Sequence, residues 1–191
     1  MSYVKTTATI KIANTSKRLR VIQGGTSAAK TVGIVQYLVV LAYNDTEPTL
    51  TSIVSESFPH LKRGVMRDFL LMMDANNLFR DLRWNKTDYT YTFDNGSKIE
   101  FFSVDQPGKV RGPRRDRLFI NEANNISFET YEQLEVRTKE FIFLDYNPVS
   151  EFWVYDQVLA KRIDVDHLIL TYKDNEALDQ RIIDAIEQRK E

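Results

Sequence analysis

The sequence predicts an α/β protein with a mainly parallel central sheet and helices on both faces. Strand-like and helix-like segments alternate along almost the whole chain, and this alternation is typical of parallel sheets. The 191 residues contain no repeat and no Pro/Gly/Ser-rich linker, and 42% of them are hydrophobic. We therefore expect a single domain over residues 1–191 with a sizeable core.

Hydrophobic periodicity and turn signals predict where the individual elements lie. In order, these are a strand at 18–23, a helix at 30–45, a strand at 50–56, a helix at 58–77, hairpin strands at 89–93 and 98–104, a strand at 117–124, a helix at 127–137, a strand at 140–148, a helix at 152–161, a strand at 167–172 and a helix at 177–191. The tight-turn residues Asp94-Asn95-Gly96-Ser97 join the hairpin strands, and Ser127 is a typical helix cap.

Composition excludes several classes of protein. The chain has no cysteine, so it can form neither a disulfide framework nor a thiolate metal site. Its longest apolar stretch, 32–43, is too short to span a bilayer. A net charge of −1 gives no overall attraction to nucleic acid. Residues 109–117 hold five basic residues against one acidic residue, and such a cluster is most often a solvated face.

Residues 24–31, GGTSAAKT, are similar to a phosphate-binding loop with one substitution. The usual pattern is Gly, four free positions, Gly, Lys and then Ser or Thr, and here Ala29 replaces the second glycine. The loop falls between a predicted strand and a predicted helix, where main-chain N–H groups bind anions. The expected ATP contacts are Gly24, Gly25, Thr26, Ser27, Ala28, Ala29, Lys30 and Thr31.

The last three residues of this loop are Ala29, Lys30 and Thr31, and we expect a role in binding for the last two. Lys30 would reach the β- and γ-phosphates of ATP, and Thr31 would place its hydroxyl on Mg²⁺. Ala29 falls at the start of the predicted helix, where we expect alanine to be tolerated. A strand–turn–helix corner whose lysine faces solvent is the alternative, so the loop needs a partner elsewhere in the chain.

The partner segment is the strand predicted at 117–124, in which an apolar run, Leu118 to Ile120, is followed by Asn121 and Glu122. Phosphate-loop ATPases place an acidic group at such a strand end, beside Mg²⁺ and the attacking water. Glu122 is expected to orient or deprotonate that water. Asn121 stands where aspartate is usual, and its amide oxygen is expected to contact Mg²⁺ through water. This pairing is typical of the RecA-like class of phosphate-loop ATPases, which have an additional central strand and a catalytic glutamate.

Taken together, these motifs resemble the ATPase (motor) domain of the large terminase subunit of tailed bacteriophages. The resemblance rests on five segments, GGTSAAKT (24–31), VRG (110–112), LFINEANNI (118–126), DYNPVSEFWVY (145–155) and LTYKDNEALDQRIIDAIEQRK (170–190). It implies Mg²⁺-dependent ATP hydrolysis that drives double-stranded DNA into a procapsid. It also implies self-association into a ring and contacts with the portal and the small terminase subunit. It implies no membrane association and a location in the cytoplasm of the host bacterium.

The resemblance also implies roles for single residues. Lys30 and Thr31 would hold phosphate and Mg²⁺, and Glu122 would be the catalytic carboxylate. Arg111 would be an arginine finger presented to the nucleotide of a neighbouring subunit, although a contact with DNA or an acidic neighbour is an alternative. Asn147 would sense the γ-phosphate and couple hydrolysis to movement. Many relatives carry an arginine inside the phosphate loop, and this chain does not.

Several alternatives stay open at this point. A helicase or recombinase-type ATPase would keep the fold, and a non-hydrolysing nucleotide-binding or assembly module would explain Ala29 and Asn121 as decay. Full-length large terminases carry a second, nuclease domain, which is expected to be absent from this chain. The histidines, His60 and His167, are expected to have ordinary structural or surface roles. The sequence does not identify the adenine contacts, although residues just before Gly24, such as Arg18 and Gln23, are candidates.

Overall fold

A single eight-stranded sheet forms the centre of the molecule. The computed structural model describes residues 5–105 and 107–189. The strands are β1 (Leu19–Gly24), β2 (Leu50–Ser55), β3 (Trp84–Asn85), β4 (Thr90–Thr92), β5 (Lys98–Ser103), β6 (Arg115–Ile120), β7 (Thr138–Tyr146) and β8 (Val165–Leu170). They lie in the order β3-β4-β5-β2-β6-β7-β1-β8, and the six from β5 to β8 in this order run parallel.

Helices cover the two faces of this sheet. They are α1 (Thr7–Ala13), α2 (Lys30–Asn44), α3 (Phe58–Arg63), α4 (Val65–Ala75), α5 (Pro107–Val110), α6 (Phe128–Glu135) and α7 (Gln180–Gln188), with short 3₁₀ turns at Asp81–Arg83, Ala123–Asn125 and Tyr172–Asp174 and a π-helical segment at Val154–Leu159. None of the helices in the described part of the chain is long and apolar enough to cross a membrane.

Each central strand contributes side chains to two separate cores, because successive residues of a strand point to opposite faces. In β7, Phe141 and Phe143 belong to the core that α1, α2, α3 and α4 cover. Ile142 and Leu144 belong to the other core, which α6 and the π-helical segment cover. The expected fold class, a mainly parallel sheet with helices on both faces, is confirmed.

The structure differs from the expected elements in several places. The strand expected at 117–124 ends at Ile120, and the short strand β3 was not expected. The helix expected over 58–77 is divided at Gly64, whose ψ of −111° is not helical, so that α3 and α4 are separate. The segment expected as an α-helix at 152–161 is π-helical from Val154 to Leu159. Helix α1 was not expected from periodicity, and it is fixed at its start by a capping box between Thr6 and Thr9.

The basic segment 109–117 is only partly the solvated face that its charge predicts. Arg115 and Arg117 are 2% and 6% exposed. Arg117 donates two hydrogen bonds to Asp45, of 2.7 and 2.9 Å, and a third, of 2.8 Å, to Glu140. The partners are far away in sequence, which is why local charge counting misses them. The exposed basic residues of this segment include Arg111 and Arg114.

The topology brings three strand ends to one edge of the sheet. Strand β7 lies between β1 and β6, with Asp145 beside Ile22 of β1 and Leu144 beside Ile120 of β6. The chain therefore leaves β1, β6 and β7 close together, at the carboxyl edge where open parallel sheets bind their ligands. Strand β7 is the additional central strand that the pairing of the loop with Glu122 predicts.

Candidate functional site

The loop between β1 and α2 is held in a conformation that most residues avoid. A Cβ on Gly24 would lie 2.4 Å from the carbonyl oxygen of Leu170 in β8, so this position requires glycine. Ser27 has a φ of 73° and Ala29 a φ of 57°, both in the left-handed region. Since α2 begins at Lys30, the expectation that Ala29 is tolerated as a helical residue is wrong. Its left-handed backbone costs roughly 1–2 kcal/mol that glycine would avoid.

Lys30 extends back over this loop and is almost completely buried. Its ammonium donates to the carbonyl oxygens of Gly24 (2.7 Å) and Gly25 (3.1 Å) and to Oδ1 of Asn147 (2.8 Å). Burial lowers the pKa of Lys30, and the negative charge of Asp145 opposes that shift. The structure thus brings together Lys30 and Asn147, two of the predicted site residues.

Asp145 is the buried centre of the site, and the sequence did not single it out. It is 1% exposed, and its carboxylate accepts hydrogen bonds from the hydroxyl of Thr31 (2.6 Å) and the backbone N–H of Glu122 (2.7 Å). Burial raises the pKa of Asp145, while these hydrogen bonds and the charge of Lys30 lower it. One carboxylate therefore joins the phosphate-loop helix to the strand end that carries Glu122.

The Asn121 side chain has hydrogen bonds to Asp145, Ser55 and, at 3.4 Å, the hydroxyl of Thr31. Its Nδ2 donates to Asp145 Oδ1 at 3.1 Å, and its Oδ1 accepts from the hydroxyl of Ser55 at 3.2 Å. A carboxylate can only accept hydrogen bonds, so the amide must turn its NH₂ group toward Asp145. This orientation argues against the amide oxygen of Asn121 as the group that faces Mg²⁺.

Glu122 lies immediately beyond β6 with a left-handed φ of 55°. It lines the same cavity as Lys30 and Asn147. Its Oε2 lies 3.0 Å from Nε2 of His60 and accepts from Nδ2 of Asn125 at 3.2 Å. His60, for which an ordinary structural or surface role is expected, thus contacts the candidate catalytic carboxylate.

Arg111 lies outside this group of residues. Its side chain is exposed, and its Nε donates to Oε1 of Gln133 at 3.3 Å. It does not line the cavity that contains Lys30 and Glu122. An exposed guanidinium is available to another molecule, but its predicted role as a finger stays a prediction.

A cavity of about 790 Å³ opens above the phosphate loop. Residues of the loop line it, together with Ala177 and Leu178 from the chain leading into α7 and Ile182 from α7 itself. Nδ2 of Asn175 donates to the carbonyl oxygen of Ser27 at 2.9 Å and so ties this segment to the loop. The cavity has the size and the mixed polar and apolar lining of a small-molecule site.

The candidate residues for adenine contact are not in this cavity. The guanidinium of Arg18 donates to backbone carbonyls at the start of β7, including that of Thr138 at 2.9 Å. Gln23 accepts from the hydroxyl of Tyr146 at 2.9 Å. Neither residue lines the cavity, whose apolar residues Leu178 and Ile182 come from the far end of the chain.

The protein side chains at this site could hold a magnesium ion only if a bound ligand, such as a triphosphate, supplied further oxygen atoms to the ion. No cluster of three or more Cys, His, Asp or Glu side chains that could hold a metal occurs among the described residues. The hydroxyl of Thr31 and the carboxylate of Asp145 nevertheless meet at 2.6 Å, and both present the oxygen atoms that Mg²⁺ prefers. Mg²⁺ commonly uses one or two protein groups plus substrate phosphates.

Fold and site together define the class of protein. An additional strand separates the phosphate-loop strand β1 from β6, and a glutamate follows β6. This is the phosphate-loop NTPase fold with an additional strand and a glutamate. Residues 16–191 match the family model for the phage terminase large subunit, and the chain therefore belongs to the phage terminase large subunit family.

Solved structures share this fold at low sequence identity. The large terminase of a thermophilic bacteriophage superimposes with a TM-score of 0.80 and 17% identity, over 95% of this chain and 49% of that one. The complex of the same terminase with ADP gives a TM-score of 0.78 at 19% identity, over 95% and 49% of the two chains. This chain thus spans about half the length of that thermophilic-phage terminase.

Two further phage proteins have the same fold. The large terminase ATPase domain of Thermus phage P74-26 gives a TM-score of 0.67 at 14% identity, over 87% of this chain and 81% of that one. The viral genome packaging motor of bacteriophage Phi-29 gives a TM-score of 0.56 at 11% identity, over 93% and 62%. No curated protein sequence matches this chain.

Proposed function

We propose that this chain hydrolyses ATP with Mg²⁺ and uses the energy to move double-stranded DNA into a phage procapsid. The observation that carries the proposal is the meeting of Lys30, Glu122 and Asn147 at one cavity above the phosphate loop. Family membership supports it, as does the thermophilic-phage large terminase, whose fold is shared and whose structures include a complex with ADP.

The cavity accommodates the two chemically different ends of ATP. The triphosphate lies over the loop, where Lys30 exchanges its contacts with loop carbonyls for phosphate oxygens, and the start of α2 adds its partial positive charge. The base lies against the apolar wall that includes Leu178 and Ile182. The nucleotide would then lie between the phosphate loop and the segment that includes the start of α7.

Hydrolysis requires a base for water and charge for the phosphoryl group. Glu122 is the base, since its carboxylate lies at the mouth of the cavity with 37% of the side chain exposed, and its backbone is fixed by Asp145. Lys30 stabilises negative charge on the phosphoryl oxygens. Mg²⁺, when bound, supplies further positive charge to the triphosphate, beside the hydroxyl of Thr31.

Asn147 provides a physical route from nucleotide to movement. It contacts Lys30 directly and begins the segment that leads into the π-helix. In that segment the indole N–H of Trp153 donates to the carbonyl oxygen of Ile126 at 2.7 Å, and its ring stacks on Tyr131 at 4.6 Å. Loss of the γ-phosphate would change the contacts of Asn147. The resulting movement of this segment would reach the loop after Glu122 through Trp153.

The proposed partners follow from this function. Duplex DNA is the cargo, and the portal and the small terminase subunit are the packaging partners in the cytoplasm of the host bacterium. The chain associates with copies of itself in a ring, because Arg111 lies away from its own cavity and needs a neighbour's nucleotide to act on. The additional charge is needed, since the loop interior of Thr26, Ser27 and Ala28 contains no arginine.

ATP turnover in the presence of different nucleic acids tests the proposed function. We expect linear duplex DNA to stimulate Mg²⁺-dependent turnover more than single strands of the same sequence, and turnover to displace a third strand bound to the duplex. Preferential stimulation by single strands with strand separation would favour the helicase-type alternative. ATP binding without turnover in every assembly state would favour the non-hydrolysing module.

Replacing Arg111 by alanine tests the finger. We expect turnover in the assembled ring to fall by about 10³-fold, because a finger in trans is worth at least this factor, while ATP still binds. Arg114→Ala is the matched control, since Arg114 is an exposed arginine three residues away.

Mixing variants separates a finger from a DNA contact. Subunits carrying Arg111→Ala should regain turnover when mixed with Lys30→Ala subunits, which cannot hydrolyse but still present Arg111 to a neighbour. If Arg111→Ala weakens DNA binding and turnover is normal at saturating DNA, the finger assignment is wrong.

A further inference from the structure

Asn121 has no carboxylate, but Asp145 on the neighbouring strand β7 has one. Ile120 pairs with Leu144 across β6 and β7, so the next residues, Asn121 and Asp145, are neighbours at the carboxyl edge of the sheet. The chain therefore has an amide, Asn121, where the acidic motif normally has aspartate. A carboxylate, Asp145, lies beside it near the end of the adjacent strand.

Asp145 is buried among hydrogen-bond donors. Its carboxylate accepts from the hydroxyl of Thr31, the backbone N–H of Glu122 and the amide of Asn121. Lys30 is near enough to act on it electrostatically, but the hydrogen bonds of its ammonium go to other groups. No ion pair to Asp145 occurs within residues 5–105 and 107–189.

A buried carboxylate without an ion pair is costly unless a cation compensates its charge. The group that Asp145 contacts most closely is Thr31 Oγ1, the hydroxyl that a phosphate loop directs at Mg²⁺. Asn121 offers no equivalent oxygen, because its NH₂ group faces Asp145 and its carbonyl oxygen faces Ser55.

We propose that Asp145, and not Asn121, is the carboxylate partner of Mg²⁺ at this site. The negative charge that the residue after β6 usually supplies comes instead from Asp145 in β7. Asn121 orients Asp145 by a hydrogen bond. Because Asp145 also holds the backbone of Glu122, the same carboxylate would link metal binding to the position of the candidate base. This inference rests on the proposed ATP function.

The linkage between Mg²⁺ and nucleotide affinity tests the inference without a measurement of turnover. The affinity of a non-hydrolysable ATP analogue is measured in Mg²⁺ and in EDTA for wild type, Asp145→Asn, and the exchange variant Asn121→Asp/Asp145→Asn. We expect Mg²⁺ to strengthen wild-type binding about tenfold or more, and Asp145→Asn to lose most of that gain with its affinity in EDTA unchanged. The exchange variant should regain it.

Ser55→Ala is the matched control, because it removes the hydroxyl that donates to the carbonyl oxygen of Asn121 and leaves Asp145 in place; it should keep the Mg²⁺ gain. Asp145→Asn that keeps the full gain would overturn the inference and leave the proposed function standing. A wild-type protein that binds the analogue equally well in Mg²⁺ and EDTA would overturn both.

Locating the metal in the wild-type protein gives a test that does not depend on how the variants fold. Anomalous scattering from Mn²⁺ bound with the same analogue should place the ion beside Thr31, within one water of the Asp145 carboxylate. An ion more than one water layer from Asp145 would overturn the inference.

Discussion

Lys30→Ala should abolish useful ATP binding, with an affinity at least about 100-fold weaker than wild type. The ammonium is the only described cation that donates hydrogen bonds to the loop carbonyls of Gly24 and Gly25 and to Asn147. Charge-assisted hydrogen bonds contribute about 1.5–3 kcal/mol each, so the loss of contacts to two phosphates is sufficient for this effect. Calorimetric titration with an ATP analogue and Mg²⁺ measures it.

Two further variants sharpen this result. Lys161→Ala is the control, since this exposed lysine contacts Gln157 away from the cavity, and its affinity should equal that of wild type. Lys30→Arg keeps the charge but not the compact ammonium, so it should also bind poorly. Lys30→Ala binding within threefold of wild type would show that the loop does not hold the triphosphate.

Glu122→Gln should separate binding from chemistry. Glutamine has nearly the same shape and retains an oxygen for Asn125, but it cannot act as a base, so the hydrolysis step should slow by about 10²–10⁴-fold. ATP affinity should remain within a few-fold of wild type, because Glu122 is not expected to hold the phosphates. Single-turnover measurements on assembled subunits report the chemical step directly.

Glu129→Gln is the matched control for this substitution. Glu129 is an exposed glutamate at the start of α6, so its replacement should leave the hydrolysis rate unchanged. A Glu122→Gln protein that hydrolyses ATP at the wild-type rate would remove Glu122 from the mechanism, even if ATP binding were normal.

Much of the fold was predictable because its signals are local. The phosphate loop lies where the sequence places it, between a strand and a helix, and the hairpin forms at its Asn95-Gly96 turn. Lys30 and Glu122 line one cavity, as the pairing of the two motifs predicts. These features depend on periodicity, turn residues and strand order, which a single sequence contains.

The missed parts of the site depend on contacts between distant segments. Asp145 ends an apolar run and looks like an ordinary strand residue until the register places it beside Asn121. His60, in α3, contacts Glu122 although the two residues are far apart in sequence. The left-handed backbone of Ala29 runs against the helical preference of alanine, so residue type alone does not predict it.

The structure of this chain with Mg²⁺ and a non-hydrolysable ATP analogue tests the central claim most directly. We expect the γ-phosphate to lie between the ammonium of Lys30 and the carboxylate of Glu122, with the base against the wall containing Leu178. A nucleotide bound elsewhere would contradict this claim. So would a Glu122 carboxylate that stays in contact with His60 and cannot reach a water at the γ-phosphate.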